Sequence, residues 1–222
     1  MDLLRLLADQ RCVICTARGT LLCTACRRQL PWLQGPLCLR CGEPNPHARL
    51  RCTLCTRLGS SIATARSALS HEAGGGSIVR AWKDAARAPV AGLAADCILA
   101  TVPRPAADYI VPVPAARARA AWRGVDGPVA LAGQLGHAWS LPVRNDVLER
   151  IRDRPQRGLT AAQRRRNVAG SIIHRRAIDG RVVLVDDVLT TGATVRAAAN
   201  HLRRAGADRI EVVTFARVAT IT

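Results

Sequence analysis

The longest uninterrupted β-rich apolar run is Val182-Val183-Leu184-Val185. Three of these four residues are β-branched, which predicts a strand buried on both faces. Asp186 and Asp187 stand at its C-terminal end. A Thr/Gly loop follows, and then an Ala-rich helix from Val195 to Ala205 that stops at Gly206. Upstream, Ser77–Ala100 reads as helix, with Gly74-Gly75-Gly76 marking the entry. Asp108–Val113 reads as a short strand, and Val125–Trp139 as a helix with Pro128 in its first turn. Leu141–Ile151 contains a further strand, and Ser171–His174 a brief one before the turn at Asp179-Gly180. Arg209–Ala216 is the last strand. Arg152–Asn167 breaks the pattern: it is polar, rich in Arg, and holds Pro155 and Gly158, so it reads as a mobile loop with a short helical piece. Strands alternating with helices predict an α/β domain, a parallel sheet with helices on both faces and ligands beyond the strands' C-terminal ends. No apolar run spans a bilayer. The longest candidate, Val90–Val102, is short and contains Asp96. No membrane insertion is expected.

The front of the chain has a different grammar. Eight of nine cysteines fall into four C-x-x-C pairs: Cys12/Cys15, Cys23/Cys26, Cys38/Cys41 and Cys52/Cys55. One such turn presents two thiolates to a metal, and two turns complete a tetrahedral site. Four turns give two structural Zn2+ sites. Sequential pairing makes two small ribbons in series and interleaved pairing a cross-brace; the shorter loops favour the sequential arrangement. The first ten residues carry Asp2, Arg5 and Asp9 among their leucines, unlike a secretory leader. A cytoplasmic, reduced chain is expected, which favours zinc over disulfides. His47 reads as a loop residue and Cys97 as a small buried hydrophobe. Residues 1–59 bury too little apolar area to fold unaided, and zinc supplies the difference. The expected division is a zinc-ribbon domain over 1–59 and an α/β domain over 60–222.

The loop after the acidic pair is built for phosphate. Gly192 permits a tight turn, small residues let backbone N–H groups point inward, and the helix N-terminus adds positive potential. The hydroxyls of Thr190, Thr191 and Thr194 can contribute bonds. Carboxylates only accept, so Asp186 and Asp187 suit sugar hydroxyls or water on a metal. A phosphate seat beside a diol seat describes a ribose 5-phosphate.

The formal net charge is +17. Between Arg144 and Arg181 there are eleven Arg against four acids. Polyanionic partners follow: nucleotides, pyrophosphate esters or DNA. All basic residues but Lys83 are Arg. That bias matches a GC-rich codon choice, but codon choice does not explain the excess of basic over acidic residues. Six aromatic residues leave few groups for stacking a base. Trp122 is the one placed among arginines, and packing on the sheet is its expected role.

The stretch Val182–Thr194 resembles, at every position, the phosphoribosyl-pyrophosphate (PRPP) signature of type I phosphoribosyltransferases. That resemblance implies Asp186 and Asp187 on the ribose 2′- and 3′-hydroxyls. It implies Thr190, Thr191, Gly192, Ala193 and Thr194 around the 5′-phosphate, with Mg2+ accompanying PRPP. A double cysteine ribbon ahead of this signature is similar to the ComF family. So are Ile78–Lys83, Val111-Pro112-Val113-Pro114 with the arginines after it, and Gln156–Leu159 leading to Arg164-Arg165-Arg166-Asn167. One departure stands out: the family's Arg-Gly-Phe-Asn-Gln is here Arg123-Gly124-Val125-Asp126-Gly127. In the parent enzymes a nucleophile displaces pyrophosphate at ribose C1. By that analogy Asp186 and Asp187 would stabilise the developing cation as catalytic residues. Arg117 and Arg123, with Arg119, Arg152, Arg154 and Arg157 as further candidates, would hold pyrophosphate. The resemblance implies a PRPP-binding protein of DNA uptake that handles internalised single-stranded DNA beside competence-machinery proteins. The alternatives are an active phosphoribosyltransferase of unknown acceptor, or a PRPP-sensing regulator.

Overall fold

The computed structural model describes residues 10–45, 52, 55–72, 74–85, 88–115, 126–151 and 171–218. Among these, the helices in chain order are α1 (Thr24–Arg28), α2 (Cys55–Leu58), α3 (Gly74–Ala85), α4 (Ala88–Leu99), α5 (Gly127–Trp139) and α6 (Ala193–Ala205). The strands are β1 (Thr64–Ser70), β2 (Tyr109–Pro112), β3 (Leu148–Arg150), β4 (Ile172–His174), β5 (Arg181–Leu189) and β6 (Arg209–Arg217).

The apolar run of β5 dictates the architecture. Val183 and Val185 enter one apolar cluster, with α3, α4 and α5. Val182 and Leu184 enter a second, with α6. This period of two means that both faces are covered, as a buried parallel strand requires. The sheet runs β1-β6-β5-β2, all parallel. β5 and β6 lie side by side in the middle, with Val183 opposite Glu211 and Leu189 opposite Arg217.

Several expectations change here. The helix read over Ser77–Ala100 is two helices. Pro89 in the first turn of α4 has no N–H to continue α3, but suits a helix start. α3 begins at Gly74, inside the triplet read as its entry. A Cβ on Gly75 would stand 2.0 Å from the Ser70 carbonyl oxygen, so β1 turns into α3 too tightly for any other residue. β5 runs on through both acids to Leu189, so Asp186 and Asp187 lie within the strand rather than beyond it. β3 and β4 form a separate antiparallel pair, not part of the parallel sheet. β1 has no counterpart in the sequence reading. Its residues, Thr-Ala-Arg-Ser-Ala-Leu-Ser, carry little strand propensity, and burial against β6 decides its conformation.

The cysteine segment closes the sheet. Leu33 N–H donates to the Ala68 carbonyl at 3.0 Å, Ser70 N–H to Pro31 at 2.9 Å, and Ala65 N–H to Arg40 at 2.8 Å. The outer edge of β1 is thereby covered, which removes an open strand edge. Among the described residues no helix is long and apolar enough to cross a membrane.

Candidate functional site: a ribose-phosphate loop and two cysteine clusters

The eight paired cysteines converge in the sequential arrangement. Cys12, Cys15, Cys23 and Cys26 form one cluster, and Cys38, Cys41, Cys52 and Cys55 the other; within each, the sulfurs lie within 4.8 Å of one another. Cys15 and Cys23 sulfurs are 3.7 Å apart, Cys38 and Cys55 3.6 Å, and Cys41 and Cys52 3.4 Å. Tetrahedral zinc with Zn–S bonds of about 2.3 Å places its sulfurs about 3.8 Å apart, so the clusters fit that ion. A disulfide would need about 2.05 Å, and every one of these cysteines is a free thiol.

Their protonation tells the same story. Burial raises the Cys12 thiol, but the backbone N–H groups of Cys15, Cys23 and Ile14 outweigh it and bring the pKa to about 6. Cys38 behaves alike: burial raises it, and the N–H groups of Cys41 and Arg40 help bring it to about 6. Cys26 is pushed up to about 12, chiefly by its hydrogen bond with Cys23. Cys41 and Cys55 are raised, burial leading in both. Four crowded thiols cannot all ionise alone; a dication lets them. Cys97 lies apart, buried in the first apolar cluster and raised to about 11 by burial.

The second feature stands at the C-terminal end of β5. Asp186 is 9% exposed and Asp187 half-buried. Each carboxylate accepts the next backbone N–H: Asp187 N–H to Asp186 Oδ1 at 2.9 Å, and Val188 N–H to Asp187 Oδ1 at 2.7 Å. Both side chains are thus held against the strand. Thr190 and Thr191 turn the chain, and Thr191 Oγ1 accepts from Ala193 N–H at 3.4 Å. Gly192, at φ 76°, is the N-cap of α6 and offers it no side-chain hydrogen bond. The first turn of that helix therefore presents backbone N–H groups and positive potential to the loop, the usual setting for a phosphate. Asp186 and Asp187, within β5, thus stand two residues before the turn of Thr190, Thr191 and Gly192, and Ala193 and Thr194 open the helix after it. Arg117 and Arg123, like Arg119, Arg152, Arg154, Arg157 and Arg164–Arg166, lie outside the described residues.

Asp126, the residue that departs from the family pattern, has a structural task. It is the N-cap of α5, accepting from Val129 N–H at 3.4 Å, and it also takes Ala115 N–H at 3.3 Å. It thereby ties the end of the Pro-Val-Pro segment to the start of α5. Its carboxyl is raised above the usual range by burial, with the Asp187 charge adding to the rise. An Asp before Gly127-Pro128 is a helix-start signal, so the role was legible from sequence.

One neighbour of the loop has no sequence signal. The pocket beside it, about 290 Å3 including open solvent, is lined by Leu189, Thr190, Thr191 and Gly192 together with Arg217 and with Cys41, Arg57 and Leu58 of the second cysteine segment.

The comparisons with known proteins follow the same division. Residues 3–58 match the family model of the double zinc ribbon domain, and residues 140–220 that of the phosphoribosyl transferase domain. Competence protein F of Haemophilus influenzae is 29% identical over 93% of this chain and 96% of its own length. DNA utilization protein YhgH of Salmonella typhi is 28% identical, over 86% of this chain and 88% of its own. A solved structure of glutamine PRPP amidotransferase from B. subtilis is similar over 59% of this chain and 26% of its own, at 24% identity and a TM-score of 0.38. The two family models are matched in order along the chain, a double zinc ribbon domain ahead of a phosphoribosyl transferase domain, and the chain is similar to competence protein F over nearly its whole length.

Proposed function

We propose that the chain binds PRPP, or another ribose 5-phosphate, with Mg2+, and acts in the cytoplasm on internalised single-stranded DNA. One observation carries the ligand: the acidic pair held on β5, two residues before a Thr/Gly turn whose N-cap residue, Gly192, gives the following helix no side-chain bond. Asp186 and Asp187 would accept the ribose hydroxyls, and the Thr190–Thr194 turn would take the 5′-phosphate. Bound Mg2+ would supply charge neutralisation for pyrophosphate, whose remaining charge falls to the arginines after Pro114. Titration calorimetry tests this. Magnesium should improve PRPP binding, and joint Asp186→Ala and Asp187→Ala should weaken it by about 2 kcal/mol or more, since bonds to charged groups contribute about 1.5–3 kcal/mol each. Unaltered heats in the double variant would sink the ribose assignment.

The DNA role is supported by the net charge of +17 and by what the relatives' names say of those proteins. Within the basic cluster, Arg144 is paired with Asp146, Arg175 with Glu149, and Arg181 with Asp108. The same cluster holds the arginines at 164–166, the part that a triple alanine substitution addresses. Binding of single-stranded DNA should show a log–log salt slope of about −0.7 per phosphate contact. Arg164→Ala, Arg165→Ala and Arg166→Ala together should flatten that slope by about two units, and an unaltered slope would remove the cluster from the DNA site.

A further inference from the structure

The second cysteine segment does more than cover a sheet edge. Its Cys38–Glu43 turn and α2 meet the phosphate loop from the side of β6. Arg217, the β6 residue opposite Leu189, stands one position from Thr190 in the ladder. Its guanidinium donates to the Cys41 carbonyl at 2.6 Å and is ion-paired with Glu43, both side chains more than nine-tenths buried. Leu58 lies where a Cβ on Gly192 would come within 3.1 Å of it. Arg196, in the first turn of α6, donates to the Arg57 carbonyl at 3.5 Å, and Ser61 Oγ to Asn200 Oδ1 at 2.7 Å. The first cluster makes no such approach among the described residues. Val13, Ile14, Leu21 and Leu22 pack into the opposite apolar cluster, near Gly74.

We propose that Arg217 is a positioning residue of the ribose-phosphate loop, clamped by Glu43 and the Cys41 carbonyl, so that the second cysteine ribbon, not the first, sets the affinity for the sugar phosphate. The physical argument has two parts. The loop's N–H groups can cradle a phosphate only if Thr190–Gly192 hold one conformation, and Leu58 with Arg217 fixes that conformation from behind. A zinc bound by four thiolates also carries two negative charges, unfavourable beside a phosphate. Arg217, bonded to the Cys41 carbonyl, lines one pocket with Thr190, Thr191 and Gly192, and Arg40 donates to the Cys55 carbonyl at 2.8 Å. The Arg40 guanidinium, beside the Cys55 carbonyl, offsets part of that charge.

The inference rests on the loop being a ribose-phosphate site, and the test separates the two. Hydrogen exchange of the Thr190–Val195 amides is measured in ligand-free protein, and PRPP affinity by calorimetry with Mg2+. The proteins are wild type, Arg217→Lys, the apolar pair Glu43→Leu with Arg217→Met, and Ile14→Ala on the first ribbon. The apolar pair keeps the volume buried, so its unfolding midpoint should stay near wild type. Arg217→Lys keeps the charge but cannot fork to both acceptors. Both Arg217 variants should exchange these amides about tenfold faster and bind PRPP about tenfold more weakly, with zinc content unchanged. Ile14→Ala should lower the midpoint with exchange and affinity unaltered. Unchanged exchange and affinity in either folded Arg217 variant overturns the proposal, and so does faster exchange with unchanged affinity, which would make the clamp merely stabilising. If wild type binds no PRPP, the ribose-phosphate reading falls, and the exchange rates alone decide whether the ribbon holds the loop.

Discussion

The two cysteine ribbons share a ligand set and differ in almost everything around it. The first leaves Cys15 exposed and Cys23 half-buried, and rests on the α3 side of the sheet through aliphatic contacts of Ile14 and Leu30 near Gly74. The second buries Cys38, Cys41 and Cys55 and shares an apolar cluster with Leu189 and Val195, on either side of the phosphate loop. The first is attached by oil. The second is attached by oil and by a buried charge pair with a required partner at the far end of the chain. Aliphatic contact tolerates small shifts, whereas a buried ion pair fixes geometry, because a displaced charge has no water to turn to. The same cysteine unit is therefore held by aliphatic contacts in one place and by a buried ion pair beside the Thr190–Gly192 turn in the other.

Removing a ligand from each ribbon should separate them most strongly. Wild type should carry two zinc ions per chain, and Cys23→Ser and Cys55→Ser about one each by elemental analysis. Structural zinc contributes about 10–16 kcal/mol in small peptides, so both losses are large. Cys55→Ser should lower the urea midpoint further, because it also uncovers Leu58 and Leu189. Equal midpoints would erase the distinction.

The next contrast is between the two attachments. Glu43→Ala strands the Arg217 charge in the interior and should cost about 3–5 kcal/mol in urea unfolding. Leu30→Ala, on the first ribbon, should cost about 2–5 kcal/mol as a cavity. Adding Arg217→Met to Glu43→Leu should recover most of the loss on the second ribbon. A charge-pair defect that such repair leaves in place would point to the Cys41 contact instead.

Two glycines sharpen the point at smaller scale. Gly35 and Gly192 both adopt positive φ, so Ala at either should cost about 1–2 kcal/mol. A Cβ at Gly35 meets nothing within 4 Å, whereas at Gly192 it presses on Leu58. Gly192→Ala should be the more destabilising of the two in thermal melts, and a ranking the other way would show that the second ribbon yields easily.

The smallest effect lies away from both ribbons. His201 on α6 faces His174, with Nδ1 atoms 3.3 Å apart. Its pKa is lowered by burial first, then by Arg204 and by His174. The unfolded chain therefore takes up this proton first. Stability should fall as pH drops from the ordinary histidine value near 6.5 through the lower folded one. His201→Gln should remove that part of the slope in melts between pH 7 and 5 and leave zinc content alone.

The candidate site residues were easier to pick out in the sequence than the individual elements that surround them. The acidic pair, the Thr/Gly turn and the four C-x-x-C pairs are local patterns whose chemistry needs adjacent residues, so they could be read directly. The shorter loops favoured the sequential pairing without deciding it, and the structure shows that arrangement. β1 was missed because Ala and Ser take their conformation from β6, far away in the chain. The break between α3 and α4 was legible at Pro89 but hidden by the apolar residues around it. Nothing near Glu43 marks it as buried, since its partner lies at the end of β6. The ribbon–loop contact is tertiary, and no window of neighbouring residues contains it.

The Arg217 clamp also has a meaning in time. Cys41 and Arg217 are separated by 176 positions. A ribosome adding about 5–20 residues per second needs roughly 10–35 s between them. The first ribbon finds Gly74 and α3 soon after it emerges, but the second must wait for the last strand before its base is complete. The Thr190–Gly192 turn is unfinished for most of the same interval, so the anchored ribbon and the turn beside it are completed nearly together.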